Sequence, residues 1–160
     1  RDKFQEASIQ ENTMSTIFEK LREDHEVQRE LMDNIVSTSG DESARREQMK
    51  LLKEELTEHA AAEERHFYSK LMAHDNSQDK ARHSVAEHKD IDDLVEELET
   101  IDMSSPQWLQ KFKDLKHLVE HHLEEEEQEV FQVAGKELTD NQKEVLAEKY
   151  DNDMERRRSA

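Results

Sequence analysis

Apolar residues recur at helical spacing in four long stretches of this chain, and turn-forming residues separate them. The first runs from about Thr13 to Ser37, with Ile17, Leu21, Gln28, Leu31 and Ile35 on one face, and Ser37-Thr38-Ser39-Gly40-Asp41 ends it. The second runs from about Glu42 to His74 along Met49, Leu52, Leu56, Phe67 and Leu71, and stops near Asp75-Asn76-Ser77. The third spans about Asp79 to Ile101 through Val85, Ile91, Leu94, Val95 and Leu98. A capping serine with proline in the first turn, Ser105-Pro106, opens the fourth, which carries Trp108, Phe112, Leu115, Val119, Val130 and Val133. Gly135 is its expected left-handed cap. Thr139 to Gln142 has capping-box spacing ahead of Val145, Leu146 and Tyr150, which predicts a short fifth helix, and Glu155 to Arg158 reads as a frayed tail.

Four helices joined by short loops predict an all-α protein: an antiparallel up-down-up-down four-helix bundle with a short C-terminal fifth helix. The bundle is expected over residues 1–136, with about the first 12 flexible. Residues 137–160 would hold the added helix and tail.

Composition complicates that picture. Leu, Ile, Val and Phe make up only a fifth of the 160 residues, and 23 Lys+Arg against 41 Asp+Glu leave a net charge of −18. Such chains border on the composition of disordered ones, so something besides an apolar core is expected to hold the fold together. Two glycines and one proline cannot supply glycine-rich nucleotide loops. The absence of cysteine excludes disulfides, thiolate metal sites and cysteine nucleophiles. The negative charge disfavours nucleic acid and anionic membranes as partners. No apolar run has the length of a membrane span and RDKFQEASIQ has no signal-peptide core, so a cytoplasmic location is expected. A start at Arg1 rather than Met suggests missing flanking sequence.

Nine histidines are the unexpected feature of so polar a chain. His25 continues the Leu21–Gln28 stripe. His59 lies three residues after Leu56, with Glu63 one turn on; His88 lies between Val85 and Ile91; His122 lies three after Val119, with Glu126 one turn on. All six positions therefore point toward the bundle axis. Residues four apart share a helix face, so His59 with Glu63, and His122 with Glu126, can hold one site each.

The spacing repeats. His25 to His59 and His88 to His122 are each 34 residues, and an offset of 63 carries His25, His59 and Glu63 onto His88, His122 and Glu126. The same offset pairs Leu52 with Leu115, Met49 with Phe112, Glu64 with Glu127 and Tyr68 with Phe131. Two hairpins thus offer matching half-sites, as expected for two carboxylate-bridged metal ions on a pseudo-two-fold axis. Nitrogen and oxygen donors without sulfur suit iron or manganese and admit zinc, and carboxylate bridging favours iron.

One histidine on an apolar stripe reads as a hydrogen-bonded core residue; six positions in register read as a metal site. His121 with Glu125 is the rival register to His122 with Glu126. His66, seven after His59, reads as outer-shell or surface, and His74, His83 and His117 as solvated. Glu63 to His66 also fits the E-x-x-H of ferritin-like proteins, but Glu126 to Glu129 does not repeat it.

These residues resemble the hemerythrin-like, or HHE cation-binding, domains, whose pattern is H … HxxxE … H … HxxxE. It appears as Asp24-His25-Glu26, His59-Ala60-Ala61-Ala62-Glu63, Glu87-His88-Lys89 and His122-Leu123-Glu124-Glu125-Glu126, over about Met14 to Val133. The resemblance implies a non-haem di-iron centre that binds or reacts with oxygen, peroxide or nitric oxide, or senses iron or oxygen. Hemerythrin proper has a further histidine where this chain has Asp92, and an aspartate at the place of Glu127. Fewer imidazoles imply more open coordination positions, which suit redox chemistry or sensing over reversible oxygen carriage. The alternative is an acidic helical interaction module with no metal or only a structural one.

Overall fold

A computed structural model describes residues 14–40 and 43–159. The lead-in of about 12 residues expected to be flexible lies outside them. Among the described residues the protein is helical throughout, without strands. Helix α1 spans Ile17–Val36. Helix α2 runs Ser43–Glu63, widens into a π-helical turn at Glu64–Tyr68 and ends in Ser69–Leu71. Helix α3 spans Gln78–Glu99. Helix α4 runs Pro106–Glu125, widens at Glu126–Val130 and closes with Phe131–Glu137. Helix α5 spans Asp140–Ser159 and packs against α1 and α2. No helix among the described residues is long and apolar enough to cross a membrane.

Local chemistry sets the ends. Thr16 caps α1 in a full capping box with Glu19. Ser105 accepts from the Trp108 amide at 3.3 Å, ahead of Pro106 in the first turn of α4. At the start of α5 the Thr139 side chain accepts from the Gln142 amide at 3.1 Å, and the Gln142 side chain accepts from the Thr139 amide at 2.8 Å. Gly40 takes a positive φ of 54° in the α1–α2 connection, where a side chain would be strained.

Two expectations at the C-terminal end are corrected. Gly135 is an interior residue of α4, which continues to Glu137. It has no positive φ, because Leu138 leaves the helix in extended conformation instead. The Glu155–Arg158 tail is helical through Ser159, since its arginines have carboxylate partners on α1 and α2: Arg158 reaches Asp24 at 2.9 Å and Arg157 reaches Glu58 at 3.4 Å.

The stripes also shift in detail. Met32 rather than Leu31 is fully buried on α1, and Phe131 and Ala134 rather than Val133 on α4. At successive steps of four beyond its histidine α2 buries Glu63, Phe67 and Leu71, and α4 buries Glu126, Val130 and Ala134. A strict step of four drifts about 40° around a regular α-helix. The widened turns, each holding an extra residue per turn, cancel that drift and keep these side chains on the axis.

The apolar interior is split in two. One cluster gathers Ile17, Leu21, Phe67, Tyr68, Phe131 and Tyr150 with their neighbours; the other gathers Met32, Leu52, Ile91, Trp108, Phe112 and Leu115. At the far end of the second cluster, Arg45 is buried over the Trp108 ring and donates to the backbone oxygens of Thr38 and Met103, tying two loops together. Between the clusters lies a polar layer.

Candidate metal centre

All six predicted side chains meet in that layer and all are buried. His25 comes from α1, His59 and Glu63 from α2, His88 from α3, and His122 and Glu126 from α4. Each histidine turns Nε2 inward. Glu63 presents Oε2 to His59, at 3.5 Å, and Oε1 to His88, at 3.2 Å. Glu126 presents Oε1 to His25, at 3.0 Å, and Oε2 to His122, at 3.8 Å. The two glutamates therefore stand between the histidine pairs, one oxygen toward each.

Two four-residue groups result, His25–His59–Glu63–Glu126 and His88–His122–Glu63–Glu126, each with donor atoms within 4.8 Å of one another. Both share both carboxylates. The Nε2 atoms of His25 and His59 and all four oxygens of Glu63 and Glu126 are buried without a hydrogen-bond partner. Leaving so many acceptors unpaired in a dry interior is costly, and cations are what such a donor set fits.

The outward nitrogens are held by a second ring of carboxylates that the sequence reading did not assign. Nδ1 of His25 donates to Glu127 at 2.6 Å, of His88 to Glu64 at 2.7 Å, and of His122 to Glu87 at 2.8 Å. Nδ1 of His59 lies 3.2 Å from Asp24 and 2.6 Å from the Tyr150 hydroxyl, which itself donates to Asp24. This ring obeys the same repeat: Asp24 and Glu87 are 63 residues apart, as are Glu64 and Glu127. Such partners fix the tautomer, so that Nε2 offers its lone pair inward. The available signal was an acidic residue directly before each lone histidine and directly after each central glutamate.

Helix α5 breaks the symmetry. Tyr150 and Arg158 back only the Asp24–His59 side, while on the other side Glu87 lies near exposed His83, at 3.5 Å. His66 points away from the centre and bonds Asp153 of α5 at 2.8 Å. The rival pair His121 and Glu125 meets at 3.2 Å on the outside of α4, with His121 exposed. Glu127 sits between His25 and Arg29 rather than on the axis.

Protonation follows from the packing. Burial alone would lower His59, but the charge of Glu63 and the bond to Asp24 outweigh it and raise its pKa to about 10. Burial likewise opposes His88, yet Glu63 and Glu64 lift it to about 9. Burial and the neighbouring Glu63 charge push Glu126 well up. Burial opposes ionisation of Glu127 too, but His25 and Arg29 bring it down to about 2. Burial and Asp24 push the Tyr150 hydroxyl up, so it stays a donor.

The hemerythrin HHE cation binding domain model matches residues 16–134, most of the chain and all six central residues. The chain belongs to this family. A solved hemerythrin HHE cation binding domain-containing protein from Mycobacterium kansasii is similar at 26% identity and a TM-score of 0.84, over 91% of this chain and 89% of that one. No curated protein matches the sequence. This hemerythrin HHE domain thus pairs a cation-binding family with a buried His/Glu layer, and α5, outside the matched span, packs onto one side of it.

Proposed function

We propose that this HHE domain holds two iron ions, with His25 and His59 on one, His88 and His122 on the other, and Glu63 and Glu126 bridging both. The observation that carries the reading is the orientation of the two glutamates: each offers separate buried, unpartnered oxygens to the two histidine pairs. Four donors around each position leave coordination sites open for an outside ligand. Iron suits nitrogen and carboxylate donors with carboxylate bridges, while manganese or zinc are possible substitutes.

When bound, the metal pair would supply reversible one- and two-electron chemistry toward oxygen, peroxide or nitric oxide, either as turnover or as an iron or oxygen sensor. The protein supplies the rest. The outer carboxylates orient four imidazoles, the flanking apolar clusters bury the layer, and His59 and His88 release protons as cations arrive. The bundle at residues 1–136 would hold the site, and 137–160 would steady one side of it. The reading has the protein cytoplasmic, with a small diatomic or peroxide ligand as its partner.

Metal analysis of protein from iron-replete cells tests this directly. About two irons per chain, with the absorption of a carboxylate-bridged diferric pair, is the expected result. Protein that retains no metal, and whose melting is indifferent to a chelator, would instead favour an acidic interaction module.

A further inference from the structure

The polar layer borders a small cavity on the side of the second apolar cluster. It is walled by His59, His88 and His122, by aliphatic side chains, and by Gln28. Its volume is about 10 Å³, space for roughly one water-sized body. Gln28 lies one turn beyond His25, is 1% exposed, and its Nε2 has no hydrogen-bond partner. Its cavity neighbours Leu56, Ile91 and Val119 are aliphatic, so leucine would extend the apolar cluster and spare a buried orphan donor.

We infer that Gln28 is the hydrogen-bonding wall of a one-molecule ligand cavity beside the metal centre, and that it favours a small anion that accepts a hydrogen bond. The inference rests on the di-iron reading, because the histidine wall consists of candidate ligands. The amide donates through N–H or, turned over, accepts through its carbonyl, so it serves hydroxide as well as a purely accepting ion. Size restricts the occupant to about the dimensions of one water. Half-buried Ala60 of α2 and exposed Asp92 of α3 complete the lining.

Fluoride, a one-atom acceptor, is the probe. The iron-loaded, oxidised full chain is titrated with it and followed by absorption, for the wild type and for Gln28→Leu and Gln28→Met. Iron content and the melting temperature of the metal-free proteins are measured alongside. Both variants are expected to keep about two irons, to melt no lower than wild type when metal-free, and to bind fluoride about tenfold more weakly, the loss of one hydrogen bond to an anion. A loss below about fivefold in the variant that loads iron, or no fluoride binding by wild type, overturns the inference. So does loss of iron from both variants, which would make Gln28 part of metal retention. Failure of the wild type to load iron appears before fluoride is added and marks failure of the di-iron reading itself.

Discussion

Oε1 of Glu63 lies 3.2 Å from Nε2 of His88, although the two residues belong to different hairpins. The other oxygen of the same carboxylate faces His59 of its own helix at 3.5 Å. Glu126 spans the layer in the same way toward His25 and His122. Removing either bridge should therefore harm both metal positions. Glu63→Ala and Glu126→Ala are each expected to bring loading from about two ions to below about one per chain, read by elemental analysis. His122→Ala should match His59→Ala in loss of metal, whereas His121→Ala should retain it. Retention by His122→Ala would sink the assignment on α4.

The outer carboxylates give a prediction that a purely structural layer would not. Glu87→Ala frees Nδ1 of His122, and Asp24→Ala removes the carboxylate beside Nδ1 of His59, leaving it only the Tyr150 hydroxyl. Each should weaken metal affinity by about 10- to 100-fold, as measured by competition with a chelator of known affinity. Full affinity in both variants would show that the imidazoles are oriented by packing alone.

Protons and metal should compete. The metal-free His59 and His88 hold protons up to about pH 10 and 9, and Glu126 is pushed up by burial beside Glu63. Loading at neutral pH should then expel a proton from each of the two histidines, and apparent affinity should rise with pH. Calorimetry in buffers of different ionisation enthalpy would read the release. Stability of the metal-free protein should move the opposite way. A histidine raised above its ordinary value of 6.5 contributes stability that is complete below that value, and the contribution fades as pH climbs through 9 to 10.

At the acid end, Glu127 has the reverse sign. Its carboxyl is brought down to about 2 from an ordinary value of 4.5, so its contribution is present above pH 4.5 and is lost as pH falls toward 2. Glu127→Gln should flatten the acid limb of a melting-temperature profile over that window. An unchanged acid limb would mean that the His25–Glu127–Arg29 contact adds nothing to stability.

Tyr150 joins α5 to the centre through Asp24 and His59. Tyr150→Phe keeps the ring in the apolar cluster but takes one hydrogen bond from each partner, leaving Asp24 and His59 to each other, and Asp24 also to Arg158, at a cost of about 1–3 kcal/mol in denaturant melts of the metal-free protein. It should also weaken metal binding preferentially on the His25–His59 side, seen as two loading steps where the wild type shows one.

Much of this was written locally. Stripes with a 3.6-residue period fixed the helices, Thr16, Ser105 and Thr139 marked their starts, and the 63-residue offset put six side chains on one axis because each element states its own inward face. The strict four-residue steps His59-Glu63-Phe67-Leu71 and His122-Glu126-Val130-Ala134 even contain the widened turns. Periodicity names a face, however, and not the atom across from it. That Glu63 divides its oxygens between two hairpins, that Asp24, Glu64, Glu87 and Glu127 hold the outer nitrogens, and that Arg158 turns an expected loose tail into helix all depend on distances between helices. Those distances are set by how the two apolar clusters pack on either side of the polar layer, a relation between residues far apart in the chain that no local pattern records.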